Sequence, residues 1–217
     1  MSITTMILGE SGTGKSASMR NLSAADTLLI QAVKKPLPFR SHEWVPFVKE
    51  SAPSGNIFTT DHHDTIIKLM VKTRRKVIVL DDFQYILANE FMRRTDERGF
   101  DKFTEIGKHA WDIITAAAQL PDDVRVYILS HTETTDSGRV KIKTIGRMLD
   151  EKITLEGMVT ICLRTILRDG QYFFSTRNNG SDTVKAPMGL FADDLIENDL
   201  AMVDAAISDY YSLAQAA

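Results

Sequence analysis

Cysteine is almost absent from this sequence of 217 residues, which contains one, Cys162. A lone cysteine cannot form an internal disulfide, and its place in the apolar run at residues 159–167 predicts a buried side chain. No apolar run approaches the roughly 20 residues of a membrane-spanning helix, and the first residues lack the pattern of a secretion signal. These absences predict no membrane partner and a reducing, cytoplasmic compartment.

The sequence also has no large excess of one charge: the formal net charge is only −3. Nucleic acid is therefore not expected to bind over the whole surface, and any such binding must come from local basic segments. Hydrophobic residues make up 43% and charged residues 25% of the chain, as is usual for globular proteins. The length and composition predict one domain over residues 1–217.

Runs of apolar and β-branched residues alternate with helical patterns along the chain. Five runs predict β-strands, at residues 3–8, 27–31, 57–60, 76–80 and 124–129. Between the last two, apolar residues recur at helical spacing up to Pro121, which ends the helix. Strand, helix and strand in this order predict an α/β fold with a mainly parallel sheet flanked by helices.

The C-terminal part has a different pattern. Asp169-Gly170 stands between two apolar runs and predicts an antiparallel hairpin. A closing amphipathic helix is predicted after it, with Asn198 as N-cap. The apolar face of that helix consists of Leu200, Val203, Ile207 and Tyr210.

The stretch GESGTGKS, residues 9–16, matches the pattern G-x-x-x-x-G-K-[ST] in full. Its glycines let several backbone N–H groups point into one concave anion site, and a following helix adds its positive dipole end. Lys15 can reach the β- and γ-phosphates, and the Ser16 hydroxyl can ligate Mg²⁺. A nucleoside triphosphate site is therefore predicted. Its residues are Gly9, Glu10, Ser11, Gly12, Thr13, Gly14, Lys15, Ser16 and Ala17.

A second acidic residue is expected at the end of an apolar strand beside the first one. Asp81 follows the run VIVL and is the predicted metal-linked carboxylate, together with Ser16. Asp82 is a candidate for polarising the attacking water. Alternatively, Asp82 only caps a helix that begins at Phe83.

With both motifs placed, the chain resembles the RecA-like P-loop ATPases, in particular the short bacteriophage versions with recombination or single-strand-annealing roles. The resemblance covers most of the chain and rests on four segments: GESGTGKS, VIVLDDFQ, VYILSH ending at His131, and FFSTRNNG near the C-terminus. It implies a RecA-like core, ATP and Mg²⁺ as cofactors, ATP hydrolysis, a homo-oligomer, and a role in phage DNA recombination, annealing or replication in the host cytoplasm.

The resemblance also implies roles for individual residues. His131 stands where relatives sense the γ-phosphate, although it could simply bond a loop carbonyl. Arg177 stands where relatives send a basic residue into a neighbour's ATP site, with Lys185 as the fallback and a solvated arginine as the alternative. Relatives often carry a catalytic glutamate at the end of the strand that precedes the one ending at Asp81. No glutamate stands there in this sequence, and Asp61 could replace it.

Single-stranded DNA is the partner that the resemblance implies. It would be bound by residues 90–103, which follow the strand ending at Asp81, and by residues 132–147, which follow the strand ending at His131. A single-strand DNA-binding or annealing protein is a further possible partner. The first segment has interleaved aromatic residues that could stack on bases. Both segments also contain acids, so ordinary solvated loops are the alternative. The candidate basic residues are Arg93, Arg94, Arg98, Arg139, Lys141, Lys143 and Arg147, and the aromatic ones are Phe91, Phe100 and Phe103.

Two other functions stay open. The chain could be a phosphotransferase with Arg93, Arg94 and Arg98 in a lid, or a nucleotide-gated assembly protein with negligible hydrolysis. The guanine-reading N-K-x-D pattern is absent from the sequence, which favours ATP by default. The sequence His62-His63-Asp64 lacks C-x-x-C or H-E-x-x-H spacing, so we interpret it as a helix start with Asp64 as N-cap rather than a metal site.

Overall fold

A mixed β-sheet forms the centre of the protein in the computed structural model, which describes residues 1–146 and 148–213. The strands are β1 (Ile3–Gly9), β2 (Thr27–Gln31), β3 (Ile57–Thr59), β4 (Val77–Asp81), β5 (Arg125–Thr134), β6 (Val140–Ile142), β7 (Ile161–Arg168), β8 (Gln171–Ser175) and β9 (Leu195–Glu197). The α-helices are α1 (His63–Lys72), α2 (Phe83–Arg93), α3 (Asp101–Ala118) and α4 (Leu200–Tyr210). Short 3₁₀ helices span Ser16–Asn21 and Leu155–Met158, and a π-helical turn spans Met148–Lys152.

The strand order is β3-β2-β4-β5-β1-β7-β8-β9, with β6 paired only to β5. The strands from β3 to β7 in this order run parallel, whereas β8 and β9 are antiparallel to their neighbours. The predicted α/β class, the mainly parallel sheet and the C-terminal hairpin are therefore confirmed. One expectation is wrong: β4 does not lie beside β1, because β5 pairs with both and separates them.

Apolar side chains cover both faces of this sheet. Met6 and Leu8 of β1 pack with helices α1, α2 and α3 on one face, while Ile7 packs with α4 on the other. Because both faces are buried, the central strands lack polar alternation. Cys162 lies in β7 and is fully buried, as predicted, and burial raises the pKa of its thiol to about 12.

Three local predictions about helices are wrong. The glycine-rich loop at residues 9–16 is followed by a 3₁₀ helix of six residues rather than by an α-helix, so the helix dipole at this point is short. Asp199, not Asn198, caps α4 by accepting a hydrogen bond from the Ala201 N–H at 2.9 Å. Helix α1 has His62 at its N-cap position, and Asp64 lies in its first turn.

The segment after the fifth predicted strand is a hairpin, where the sequence suggested a loop. Strand β5 continues to Thr134, and Thr132 pairs with Ile142 of β6. Since Gly9 at the end of β1 is level with His131, this β5–β6 hairpin projects beyond the carboxyl edge of the sheet. Among the helices of the described residues, none is long and apolar enough to cross a bilayer.

Candidate functional site

The glycine-rich loop leaves the carboxyl end of β1 in a conformation that depends on two of its glycines. A Cβ atom on Gly9 would lie 1.8 Å from Thr165 Oγ1 on the neighbouring strand β7, so no side chain fits there. Gly14 has a φ of +93°, a backbone conformation that residues other than glycine rarely adopt. The Thr13 hydroxyl donates to the Glu10 carbonyl oxygen at 2.7 Å and lies 2.6 Å from Thr165 Oγ1 of β7. These contacts fix the loop against the sheet.

Lys15 is buried inside this loop. Its Nζ donates hydrogen bonds to the carbonyl oxygens of Gly9 at 2.8 Å and Glu10 at 2.6 Å. Burial lowers the pKa of Lys15 to about 8, although the negative charges of Asp82 and Asp81 oppose that shift. The ammonium group is thus held at the loop by two neutral acceptors.

Ser16 and Asp81 meet at the bottom of the site. The Ser16 hydroxyl donates to Asp81 Oδ1 at 2.9 Å and lies 3.1 Å from Oδ2. The Asp81 side chain is fully buried at the end of β4. Burial, and next the charge of Asp82, raise the pKa of Asp81 to about 6, against the opposing effect of Lys35. A buried carboxylate with so little compensation is a strong acceptor for a cation.

Asp82 occupies the N-cap position of α2, but its side chain makes no capping hydrogen bond. Its backbone is left-handed, with φ 64°, which is uncommon for a residue other than glycine. The carboxylate forms an ion pair with Lys35, and its Oδ1 lies 3.8 Å from His131 Nε2. Burial acts to raise the pKa of Asp82, but His131 and Lys35 outweigh it, and the pKa is lowered.

Lys35 is a site residue that the sequence analysis missed. Its Nζ reaches both carboxylates, at 3.8 Å from Asp81 Oδ2 and in direct contact with Asp82. Burial acts to lower the pKa of Lys35, but Asp81 and Asp82 prevail and raise it. The available signal was its position: Lys35 follows β2, which pairs with β4, and parallel strands end at one edge.

These groups surround a cavity of about 490 Å³ at the carboxyl edge of the sheet. His131 lies across from Gly9 in the strand register, and its backbone N–H donates to Gln84 Oε1 at 3.0 Å. Tyr172, at the start of β8, is a second residue that the sequence analysis missed. The cavity is lined by Ser11, Gly12, Gly14, Lys15, Ser16, Ala17, Lys35, Pro36, Pro38, Asp82, His131 and Tyr172.

Two predicted catalytic residues lie elsewhere. Asp61 follows the edge strand β3 and accepts a hydrogen bond from Arg93 at 2.6 Å. Arg177 forms an ion pair with Asp194 at 2.7 Å and lines a different cavity of about 430 Å³, together with Lys185. Neither Asp61 nor Arg177 lines the phosphate-loop cavity.

The candidate DNA-binding residues divide into two groups. On α2, Arg93 is paired with Asp61, and Arg94 contacts Glu90, Glu97 and Glu105. The expected aromatic residues there are partly buried or exposed: the half-buried Phe91 and Phe103 rings stack at 5.5 Å, and Phe100 is exposed.

The second basic group lies on the β5–β6 hairpin and beside it. Arg139 and Lys143 are exposed, and Lys141 forms an ion pair with Glu133 at 3.1 Å. Arg147 lies outside the described residues. The hairpin continues directly from the carboxyl end of β5, at the sheet edge that holds the cavity.

The cavity combines a buried ammonium group, a hydroxyl–carboxylate pair of hard oxygen donors, and a second carboxylate with its own cation. This combination suits a polyanion bound together with a divalent metal. In comparisons with known proteins, no protein-family model matches the chain, and no curated protein matches it in sequence.

Proposed function

We propose that the chain is a Mg²⁺-dependent ATP hydrolase with a RecA-like P-loop core. The observation that carries this proposal is the hydrogen bond between Ser16 and buried Asp81, next to Lys15 at a cavity of about 490 Å³. In the sequence these groups belong to two separate motifs. Their convergence is what a triphosphate–metal site requires.

The residues present fit Mg²⁺. The Ser16 hydroxyl and the Asp81 carboxylate are hard oxygen donors. The charge of buried Asp81 is only partly balanced, by Lys35 at 3.8 Å and by Lys15. When bound, the ion would supply charge neutralisation at the phosphate oxygens. Ser16 and Asp81 would hold it, directly or through water.

Lys15 would exchange its two loop carbonyls for oxygens of the β- and γ-phosphates. The negative phosphate oxygens offset the hydration that the ammonium group loses on burial, so Lys15 stays protonated when nucleotide binds. The exchange turns two hydrogen bonds to neutral acceptors into stronger, charge-assisted ones.

Asp82 is the better supported candidate for orienting the attacking water, because it lines the cavity and Asp61 does not. Lys35 holds the Asp82 carboxylate and would stabilise negative charge on the terminal phosphate. His131 lies near Asp82 on β5, between the strands that carry the two motifs, and we infer that it contacts the γ-phosphate. This supports the sensor role proposed from the resemblance.

Calorimetry with Mg²⁺–ATP and a phosphate-release assay test the proposal together. We expect binding of one nucleotide per chain and release of phosphate with water as the only acceptor. Absence of binding heat would refute the nucleotide site. Binding without phosphate release would favour the assembly protein, and ADP formation only after adding a nucleoside or nucleotide would favour the phosphotransferase. The phosphotransferase has less support, because Arg93 and Arg94 are held in ion pairs outside the cavity.

We also propose that the protein acts on single-stranded DNA in phage recombination, annealing or replication, as a cytoplasmic homo-oligomer. Support comes from the β5–β6 hairpin, whose basic residues project from the sheet edge that holds the cavity. Strand β5 carries both His131 and this hairpin, so nucleotide and DNA would contact one element. Arg177 remains the candidate for completing a neighbour's site, and its exposed guanidinium would have to leave Asp194.

The variant Lys141→Glu/Lys143→Glu should bind single-stranded DNA more weakly than the native chain, because two phosphate contacts are reversed in charge. Native binding should also weaken as salt rises, since counterions are released on binding. Fluorescence anisotropy over a salt series measures both effects. Lys68→Glu/Lys72→Glu on α1 changes the net charge equally and serves as control. Binding that is independent of salt, or equal weakening in both variants, would contradict the hairpin as DNA contact.

A further inference from the structure

Two histidines and one glutamate from three different helices meet on the face of the sheet covered by α1, α2 and α3. His63 begins α1, Glu90 lies near the end of α2, and His109 lies in the middle of α3. One ring nitrogen of each histidine and one carboxylate oxygen of Glu90 lie within 4.8 Å of one another. All three side chains are partly buried, with 13% exposed for Glu90 and 24% for His63. None of them lines the phosphate-loop cavity.

The three side chains are already in direct contact with one another. His109 Nδ1 lies 2.9 Å from both carboxylate oxygens of Glu90. The rings of His63 and His109 stack with centroids 3.6 Å apart and an interplanar angle of 10°. A tetrahedral ion with bonds of about 2.1 Å holds its ligand atoms about 3.4 Å apart. The separations of up to 4.8 Å must therefore shrink by up to about 1.4 Å, and one of the stacked rings must tilt.

The surrounding residues allow that adjustment. His63 is the first residue of α1, where the backbone is least constrained by helical hydrogen bonds. Arg94, which contacts Glu90 at 3.1 Å, also pairs with Glu97 and Glu105 and so keeps partners if Glu90 turns to a metal. Asp64 Oδ1 lies 3.2 Å from His63 Nε2, as a carboxylate that orients a ligand histidine does.

We propose that His63, Glu90 and His109 bind a transition-metal ion of the Zn²⁺ class, which ties α1, α2 and α3 together. Two imidazoles and one carboxylate suit Zn²⁺, whereas Mg²⁺ prefers oxygen ligands only. The site is separate from the phosphate loop and does not depend on nucleotide binding. Its ion would fix α2, the helix that begins directly after Asp82.

Calorimetric titration of Zn²⁺ into the full chain, stripped with a chelator and kept in excess Mg²⁺, tests this site. We expect one tight site per chain. His109→Ala should weaken it at least about 100-fold, because loss of an orienting partner alone costs 10–100-fold. His62→Ala removes the neighbouring histidine, whose exposed ring is outside the trio, and should leave the affinity unchanged.

Cobalt supplies a readout on the native chain in case His109→Ala does not fold, as judged by circular dichroism. Co²⁺ should give the visible absorption of a four-coordinate site, and one equivalent of Zn²⁺ should remove it. The proposal is overturned if the native chain lacks that absorption, or if folded His109→Ala binds Zn²⁺ as tightly as the native chain. It is also overturned if Asp81→Asn abolishes Zn²⁺ binding, because the ion would then occupy the phosphate-loop site.

Discussion

Replacement of Lys15 by alanine is expected to weaken Mg²⁺–ATP binding roughly 100-fold or more and to remove phosphate release. In the proposed complex the ammonium group makes charge-assisted hydrogen bonds to phosphate, each contributing about 1.5–3 kcal/mol. Loss of two such bonds costs at least about 3 kcal/mol, which corresponds to that factor in affinity. Calorimetry of the native and variant chains measures the difference directly.

Lys15 also donates hydrogen bonds to the carbonyl oxygens of Gly9 and Glu10, so a control must exclude a general loss of structure in the variant. Lys34→Ala removes an exposed lysine next to Lys35 that does not line the cavity, and it should bind nucleotide as the native chain does. Circular dichroism and thermal unfolding establish that the Lys15→Ala chain is folded. Native affinity in a folded Lys15→Ala chain would exclude the phosphate role of Lys15.

Asp81→Asn is expected to have opposite effects on stability and on activity. With metal removed by chelator, the unfolding free energy at pH 8 should rise by about 1–3 kcal/mol, while Mg²⁺-dependent hydrolysis should fall at least about 100-fold. The activity is lost because a neutral amide is a poor ligand for Mg²⁺. The hydrogen bond from Ser16 can be kept, since the amide oxygen also accepts.

The stability gain follows from the sign of the pKa shift. The pKa of Asp81 is about 6 in the folded chain, above its ordinary value of 3.8, because burial and then Asp82 disfavour the charged form. The ionised carboxylate therefore destabilises the fold once the pH exceeds the unfolded value, and the full effect, up to about 3 kcal/mol, is reached above pH 6. Lys35 loses one partner in the variant, which reduces the gain.

Urea unfolding in chelator measures this effect, and the advantage of Asp81→Asn should fall to about half at pH 5, where the folded carboxyl is largely protonated. Asp136→Asn makes the same chemical change at an exposed position and should alter neither stability nor hydrolysis. A variant that is less stable than the native chain at pH 8, or that hydrolyses ATP normally, would contradict the assignment of Asp81.

The strands could be predicted from the sequence because burial on both faces leaves a clear trace: runs such as VIVL have no polar alternation. The glycine-rich loop could be located for a similar reason, since its motif lies in one short stretch of sequence; its binding of phosphate stays a prediction. The position of β5 between β1 and β4 was not, because an apolar run contains no record of which strands flank it. The register that brings His131 level with Gly9 could not be predicted for the same reason: it depends on the pairing of β1 with β5.

Site residues contributed by tertiary contacts were the hardest to predict. Lys35 belongs to no motif and reaches Asp82 only because β2 and β4 are neighbours. Tyr172 enters the cavity because β8 reverses direction beside β7. The trio of His63, Glu90 and His109 comes from three helices. Only His63 lies in a local cluster of potential ligands in the sequence, His62-His63-Asp64.

The left-handed backbone at Asp82 limits which amino acids this turn can accept. At a φ of 64°, glycine, asparagine and aspartate are tolerated, whereas β-branched residues are strained. An amide can therefore replace the carboxylate while the bend from β4 into α2 keeps its shape. At this position the charge of the side chain can be changed without changing the path of the main chain. Asp82 is therefore a suitable first position for redesigning the chemistry of the cavity.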